Sequence, residues 1–218
     1  MLKLLTCIVL VIFSGCAFSG FIFEKKECQP TSHDVYGPYY VPNPPPLLQF
    51  CTGDSEGYHT LLVHGTVFEN DCLTPLPHVR MEIWQADHNG NYRMSTDCRG
   101  FLYTDENGYY EFTTIHPGKY TTDIDGHLFR PAHLHFKIFG KHGHKDLVTQ
   151  MYFQGDSNLG KNDSCHVCSS NRKDLIISTE EFCDHPGQVE CMEMAEFNIV
   201  LDKGKGTAVT FADYDYEY

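Results

Sequence analysis

Positive charge is scarce in this chain: 16 Lys and Arg stand against 29 Asp and Glu, a formal net charge of −13 over 218 residues. No dense basic stripe offsets that balance, so a phosphate backbone would be repelled and no nucleic-acid partner is expected. Long apolar runs are also missing beyond the first residues. No later segment approaches the roughly 20 apolar residues of a membrane span, so no membrane partner is expected either. Sustained helical periodicity is absent, which argues against a helix bundle. What is present is core material: the chain is 41% hydrophobic and 13% aromatic, with 18 Gly and 11 Pro, which suits one globular domain and excludes disordered and fibrous classes.

The one apolar run, Leu4 to Phe13, follows Lys3 and precedes small residues at Ser14, Gly15, Ala17 and Ser19. That is the layout of a secretory signal peptide, assigned to residues 1–19 with Ala17-Phe18-Ser19 as the cleavage site, and it predicts a secreted, extracellular protein. A competing reading takes Phe13-Ser14-Gly15-Cys16 as a lipid-attachment site. Of ten cysteines, Cys7 and Cys16 would leave with the signal, and Cys28, Cys51, Cys72, Cys98, Cys165, Cys168, Cys183 and Cys191 remain. An even eight in an exported chain predicts disulfides, with about 105 pairings open. The alternative is a zinc site at Cys165-His166-Val167-Cys168 with Cys183 and Cys191, although the CxxC spacing is not repeated. Asn162-Asp163-Ser164 is a glycosylation sequon in the same polar stretch.

Alternating or β-rich runs recur at Leu61–Phe68, Val79–Gln85, Gly100–Thr104, Tyr109–Thr114, Ala132–Phe139, Leu147–Phe153, Glu196–Leu201 and Thr207–Phe211. Asp105-Glu106-Asn107-Gly108 joins two of them as a hairpin turn would, and His88-Asn89-Gly90-Asn91 interrupts another. Many short strands separated by such turns predict an all-β antiparallel sandwich or barrel. One domain is expected over residues 20–211. It would carry a cysteine-rich loop at 156–191, a short helix near Thr179–Phe182 and an acidic, tyrosine-rich tail at 212–218.

The segment Arg130-Pro131-Ala132-His133-Leu134-His135-Phe136 carries the most chemistry. A strand's period of two places both histidines on one face and turns Leu134, Phe136 and Ile138 toward a core. Paired imidazoles suit iron, copper or zinc, while a bare HxH is equally compatible with two exposed strand histidines. The chain has 13 histidines, and His59, His78, His88, His116, His142 and His144 read as surface residues at turns and strand ends.

Several stretches together resemble the intradiol ring-cleavage dioxygenases, which include catechol and protocatechuate dioxygenases. They are GPYYV (37–41), VHGTVF (63–68), VRMEIWQADHNGNY (79–92), RGFLYTDENGYYEFTTIHPGKY (99–120), RPAHLHF (130–136), LVTQMYFQGD (147–156) and FNIVL (197–201). The resemblance runs from about Gly37 to Phe211 with the motifs in order. It implies a prealbumin-like, Greek-key β-sandwich and an Fe(III) site of Tyr92, Tyr120, His133 and His135. Arg130 and Gln150 would stand beside the substrate, with Arg130 stabilising developing negative charge. Tyr120 would be the tyrosinate that a catechol displaces. Two phenolates would hold iron ferric, unlike the two-His, one-carboxylate face of Fe(II) oxygenases.

The implied activity is cleavage of a catechol by O2 between its hydroxyl-bearing carbons, giving a cis,cis-muconate-type diacid. The helical segment that precedes the catalytic domain in catechol 1,2-dioxygenases is not found between the signal and Gly37, so a monomer is the expectation. Asp123 and Asp125, between Tyr120 and Arg130, predict a preference for neutral or cationic catechols. Competing readings are a secreted, non-catalytic β-sandwich binding module and a zinc or copper protein built on His133 and His135.

Overall fold

The computed structural model describes residues 28–47, 50–51, 60–92, 97–123, 125–183 and 191–204. The assigned signal peptide, the tail, His59 and the expected strand Thr207–Phe211 lie outside the described residues. Where β-branched and aromatic residues alternate with polar ones the chain forms strands: β1 (Thr60–Phe68), β2 (Arg80–Gln85), β3 (Arg99–Tyr103), β4 (Tyr109–Ile115), β5 (Tyr120–Thr121), β6 (Phe129–Arg130), β7 (His133–Ile138), β8 (Leu147–Phe153), β9 (Ile176–Ile177), β10 (Thr179–Phe182), β11 (Met192–Glu196) and β12 (Ile199–Val200).

In one sheet β1 is central, paired with β4 on one side and with β11 and β12 on the other, and β10 extends β11. The second sheet runs β3-β2-β7-β8-β9. Leu61, Val63, Val67 and Phe112 of the first sheet meet Met81, Ile83, Leu134, Phe136 and Met151 of the second in one continuous core. Phe136 is the hub, with ring contacts to Tyr110, Phe112 and Phe197. Truncating such a side chain to Ala costs about 3–5 kcal/mol. The expected all-β sandwich therefore forms, with one difference: β1 pairs parallel with β11 and β12, and β8 with β9. The long loop after β8 frees those partners from hairpin geometry, and a parallel pairing needs such a crossover.

Residues 179–182, expected as a helix, form strand β10, because four residues cannot nucleate a helix alone and β11 offers a ladder from Thr179↔Ala195 to Phe182↔Met192. The run expected over Glu196–Leu201 is divided between β11 and β12. The cysteines pair as Cys28–Cys72, Cys51–Cys98, Cys165–Cys168 and Cys183–Cys191, which removes the thiolates a zinc site would need. His144, expected at the surface, is buried and hydrogen-bonds through Nδ1 to the Lys141 carbonyl at 2.6 Å.

The central strands of the second sheet are buried on both faces. One face lies on the core. The other is covered by residues 34–40, tied down by the Asp34 amide on the Val148 carbonyl (2.8 Å) and by Tyr36 and Tyr40 against Trp84.

Candidate active site

The period of two that separates core from far face puts His133 and His135 together on that covered face. Register adds their neighbours: His133 lies opposite Tyr152, and His135 lies between Gln150 and Trp84. Trp84 stacks flat on the His135 ring, with centroids 4.6 Å apart and planes 5° off parallel. Gly37, at φ 68°, passes over the same imidazole. A Cβ there would stand 3.3 Å from His135 Cε1, so both the backbone angle and the space call for glycine.

Tyr92 and Tyr120 arrive on two loops that cross. Asp87 organises the first, its carboxylate accepting the amides of Asn89 and Asn91 at 2.9 Å each. Its carbonyl takes the Gly118 amide of the second loop, also at 2.9 Å. At the crossing a Cβ on Gly90, which has φ 81°, would overlap the Lys119 carbonyl, and one on Gly118 would overlap the His88 carbonyl. Two glycines thus allow the backbones to touch and bring the rings of Tyr92 and Tyr120 edge to face, 5.3 Å between centroids. Tyr39 stacks on the other side of Tyr92 at 4.3 Å. Tyr120 stands 5.8 Å from the His133 ring.

The Tyr92 hydroxyl, His133 Nε2 and His135 Nε2 form a triangle with every edge 3.1 Å. His133 Nδ1 lies 2.6 Å from the Pro131 carbonyl and must carry the ring hydrogen to bond it, so Nε2 presents a lone pair. His135 Nδ1 is buried with no hydrogen-bond partner among the described residues. Three atoms able to ligate thus converge at mutual distances of 3.1 Å.

A cation between them would engage all three at once. Donors sharing one ion at bond lengths of about 2.0–2.1 Å sit about 3 Å apart, as these do. Burial holds both histidines well below their usual range, with Arg130 adding to the effect, so they are neutral and able to ligate. Burial holds the Tyr92 phenol well above its usual range, with Tyr120 adding to that, so a phenolate needs a cation beside it. Among the described residues no cluster of three or more His, Cys, Asp or Glu could hold an ion. Phenolate oxygens with two imidazoles suit a hard, oxidised cation such as Fe(III).

Arg130 is buried next to this cluster. Its Nε donates to Asp163 Oδ1 (3.2 Å), and Nη2 donates to Tyr152 Oη (2.8 Å), Gln150 Oε1 (3.1 Å) and Asp163 Oδ2 (3.3 Å). Burial alone would disfavour its charge, but Tyr152 and Asp163 outweigh it and hold the guanidinium above its ordinary value. Tyr152 in turn donates to Asp34 Oδ2 at 2.8 Å, and burial pushes that carboxyl up. Gln150 uses its Nε2 on the Val35 carbonyl at 2.8 Å, which ties the covering segment to Arg130. Among the described residues Arg130 Nη1 makes no hydrogen bond.

Arg130 and Tyr120 line a cavity of about 330 Å³, together with Val35, Gly37, Pro38, Thr122 and the loop Ser164-Cys165-His166-Val167. That is the small end of ligand-site volumes. A larger cleft of about 550 Å³, over residues 30–33, Lys145 and Asp202, contains none of these groups. All six expected site residues therefore gather in one place. Asp123 does not join them: its carboxylate accepts the amides of His127 and Leu128 and closes its own turn. Sequence reasoning missed Asp34, Tyr152 and Asp163. Tyr152 was legible as a strand residue two positions from Gln150, whereas the two acids sit in segments without period.

Residues 35–203 match the family described as Dioxygenase. Catechol 1,2-dioxygenase of Acinetobacter baylyi is 33% identical over 148 residues, covering 58% of this chain and 47% of that protein. The protocatechuate 3,4-dioxygenase beta chain of Burkholderia cepacia is 34% identical over 115 residues, 48% of this chain and 49% of that one. The chain thus spans about half the length of the curated relatives it matches. Among solved structures, catechol 1,2-dioxygenase from Acinetobacter sp. ADP1 superposes with a TM-score of 0.67 at 28% identity, covering 79% of this chain and 63% of that one. The dioxygenase domain of a dioxygenase carbohydrate-binding protein fusion from Streptomyces sp. SirexAA-E superposes with a TM-score of 0.63 at 28% identity, and all of that domain is covered.

Proposed function

The chain belongs to the dioxygenase family, and on that premise we propose that it is a secreted, Fe(III)-dependent intradiol dioxygenase that opens catechols with O2. The observation that carries this reading is the 3.1 Å triangle of Tyr92, His133 and His135, with Tyr120 beside it. Tyr92, Tyr120, His133 and His135 would hold the iron. Bound there, Fe(III) would take both catechol oxygens and make the ring electron-rich enough for direct reaction with O2. One catechol and one O2 give one muconate-type diacid, both oxygen atoms entering the product.

The chain's own groups do the rest. Trp84 and Gly37 hold His135 in place, and the Pro131 carbonyl holds His133 by its far nitrogen, the arrangement that orients metal-bound imidazoles. Tyr120, which lines the cavity, would give the iron its second phenol oxygen and stands where it could take up a catechol proton. Arg130 presents a permanent charge where the ring gains electron density, and the free Nη1 is the corner available to it. Gln150 and Tyr152 are positioning residues that act through Arg130.

Arg130 is the only Lys or Arg among the residues lining the cavity, so with its guanidinium committed to the reacting ring no second cation is left for a carboxylate substituent, which supports a preference for neutral or cationic catechols. Four disulfides support an oxidising compartment. The test is iron analysis and a visible spectrum of the Fe(III)-loaded protein, before and after anaerobic catechol, with product analysis on admitting O2. About one iron per chain, a reddish tyrosinate band that shifts with catechol, and a ring-opened diacid are expected. Tyr92→Phe and His135→Ala should lose most of the iron. A protein that stays colourless and iron-free after loading would overturn the reading.

A further inference from the structure

Two arginines are buried among the described residues, Arg130 at 2% exposed and Arg99 at 5%. Arg130 belongs to the cavity, whereas Arg99 opens β3 on the other side of Trp84. Register ties both to one row. Gln150, His135, Trp84 and Arg99 lie side by side across β8, β7, β2 and β3, and residues directly opposite one another share a face. The row therefore carries a guanidinium at each end: Arg130 on Gln150, and Arg99 beyond Trp84.

Arg99 Nη1 donates to the Tyr39 carbonyl at 3.0 Å. That bond fixes the covering segment at the residue that meets both tyrosines. The Tyr39 ring lies flat on Tyr92, with centroids 4.3 Å apart and planes 12° off parallel, and it meets Tyr120 edge-on at 6.0 Å. Burial pulls Arg99 below its ordinary value, and negative charge on the Tyr92 oxygen opposes that pull. A desolvated cation is costly unless opposite charge or polar groups lie near it, and a phenolate at Tyr92 supplies such charge.

Building on the catechol-cleaving reading above, we propose that Arg99 is a positioning residue for the iron ligand Tyr92. Its guanidinium pins the Tyr39 backbone so that the Tyr39 ring stays stacked on the Tyr92 phenol, and its charge offsets that of the phenolate.

The test compares the full chain with Arg99→Gln, Arg99→Lys and Tyr39→Leu, measuring Fe(III) affinity by chelator competition and the visible spectrum at full loading. Arg99→Gln should weaken Fe(III) binding by about 10- to 100-fold, the usual worth of a group that orients a metal ligand. It should also move the tyrosinate band to longer wavelength, because a phenolate without its neighbouring cation gives up an electron to Fe(III) more readily. Arg99→Lys keeps the charge and should restore the band position and most of the affinity. Tyr39→Leu keeps the carbonyl and removes the stacked ring, and should cost about 2- to 12-fold in affinity, the worth of one aromatic pair.

An unmoved band in loaded Arg99→Gln overturns the proposal, because a merely structural role would weaken binding without shifting the spectrum. So does a loss in Arg99→Lys equal to that in Arg99→Gln. If Arg99→Gln does not fold, the other two variants decide: wild-type affinity in Tyr39→Leu, or a shifted band in Arg99→Lys, overturns it. A wild type that takes up no iron overturns the functional reading itself, while each outcome above leaves that reading standing.

Discussion

Asp163→Asn tests whether Arg130 is held as described, because the substitution keeps the shape of the side chain and removes only its charge. Asp163 and Arg130 have side chains 0% and 3% exposed, so water screens little of their interaction. The carboxylate accepts from Nε, Nη2 and the Cys165 amide at once. Breaking a buried pair from one side costs about 3–5 kcal/mol, because the surviving charge stays desolvated. For a domain of this size that corresponds to a fall in Tm of about 6–20 °C.

Calorimetry under non-reducing conditions measures the fall. The double variant Arg130→Met/Asp163→Leu supplies the decisive comparison. It removes both charges, so it should recover much of the stability lost in Asp163→Asn while turnover disappears. If Asp163→Asn stays within about 2 °C of wild type, or if the double variant loses the sum of the single losses, the pair is not the buried, mutually dependent unit described.

The metal-free protein should lose stability on mild acidification. Burial keeps His133 and His135 neutral in the folded chain, whereas unfolded they take up protons near 6.5. The unfolded state then binds more protons, and as pH falls below 6.5 stability drops by up to about 1.4 kcal/mol per pH unit for each histidine. Urea midpoints of the apoprotein that stay level between neutral pH and the onset of general acid unfolding would contradict this. Gly118→Ala should separate the two tyrosine loops, because the new methyl overlaps the His88 carbonyl. Iron content and the visible band should fall more than far-ultraviolet circular dichroism changes, and full iron loading would refute the crossing argument. Disulfide removal should be graded by loop length: about 4 kcal/mol for Cys28–Cys72, separated by 44 positions, and about 2 kcal/mol for Cys165–Cys168, separated by 3. Equal losses in thermal scans would show that strain or denatured-state structure dominates instead.

Period and turn chemistry made most of the sandwich legible. Leu147–Phe153 was read at its observed bounds, and β1 within one residue, because alternation along those segments reports which face is buried. The run at Glu196–Leu201 was less legible, since it is broken between β11 and β12, which pair with successive parts of β1, and the break interrupts strict alternation. Thr179–Phe182 was misread because a four-residue segment carries no usable period. Its conformation comes from β11, a partner distant enough in its own surroundings to be invisible locally. His144 shows the same limit, being a turn residue by local wording and a buried one by packing.

The site divides along a similar line. His133 and His135 declare themselves through a spacing of two, and the tyrosines through loops in which Gly90 and Gly118 are required by the crossing. Their supports have no such local signal. Asp34 and Asp163 lie in irregular segments 129 positions apart, from 34 to 163, and each is read as a plausible surface acid until the fold buries it. What they share is chemical: each accepts a backbone amide from an end of the Cys165–Cys168 loop and also supports a polar side chain of the buried network, Tyr152 or Arg130. A buried guanidinium is stable only where carboxylate and neutral acceptors converge on it. With Arg130 buried beside the Tyr92, His133 and His135 cluster, the fold needs acids from outside the sheet, and the cysteine-rich loop after β8 delivers Asp163. That requirement explains why the loop is clamped by its own disulfide at the point where it meets the cavity. The same clamp holds the acid under Arg130 and forms a wall of the cavity, so charge placement and cavity shape depend on one short segment.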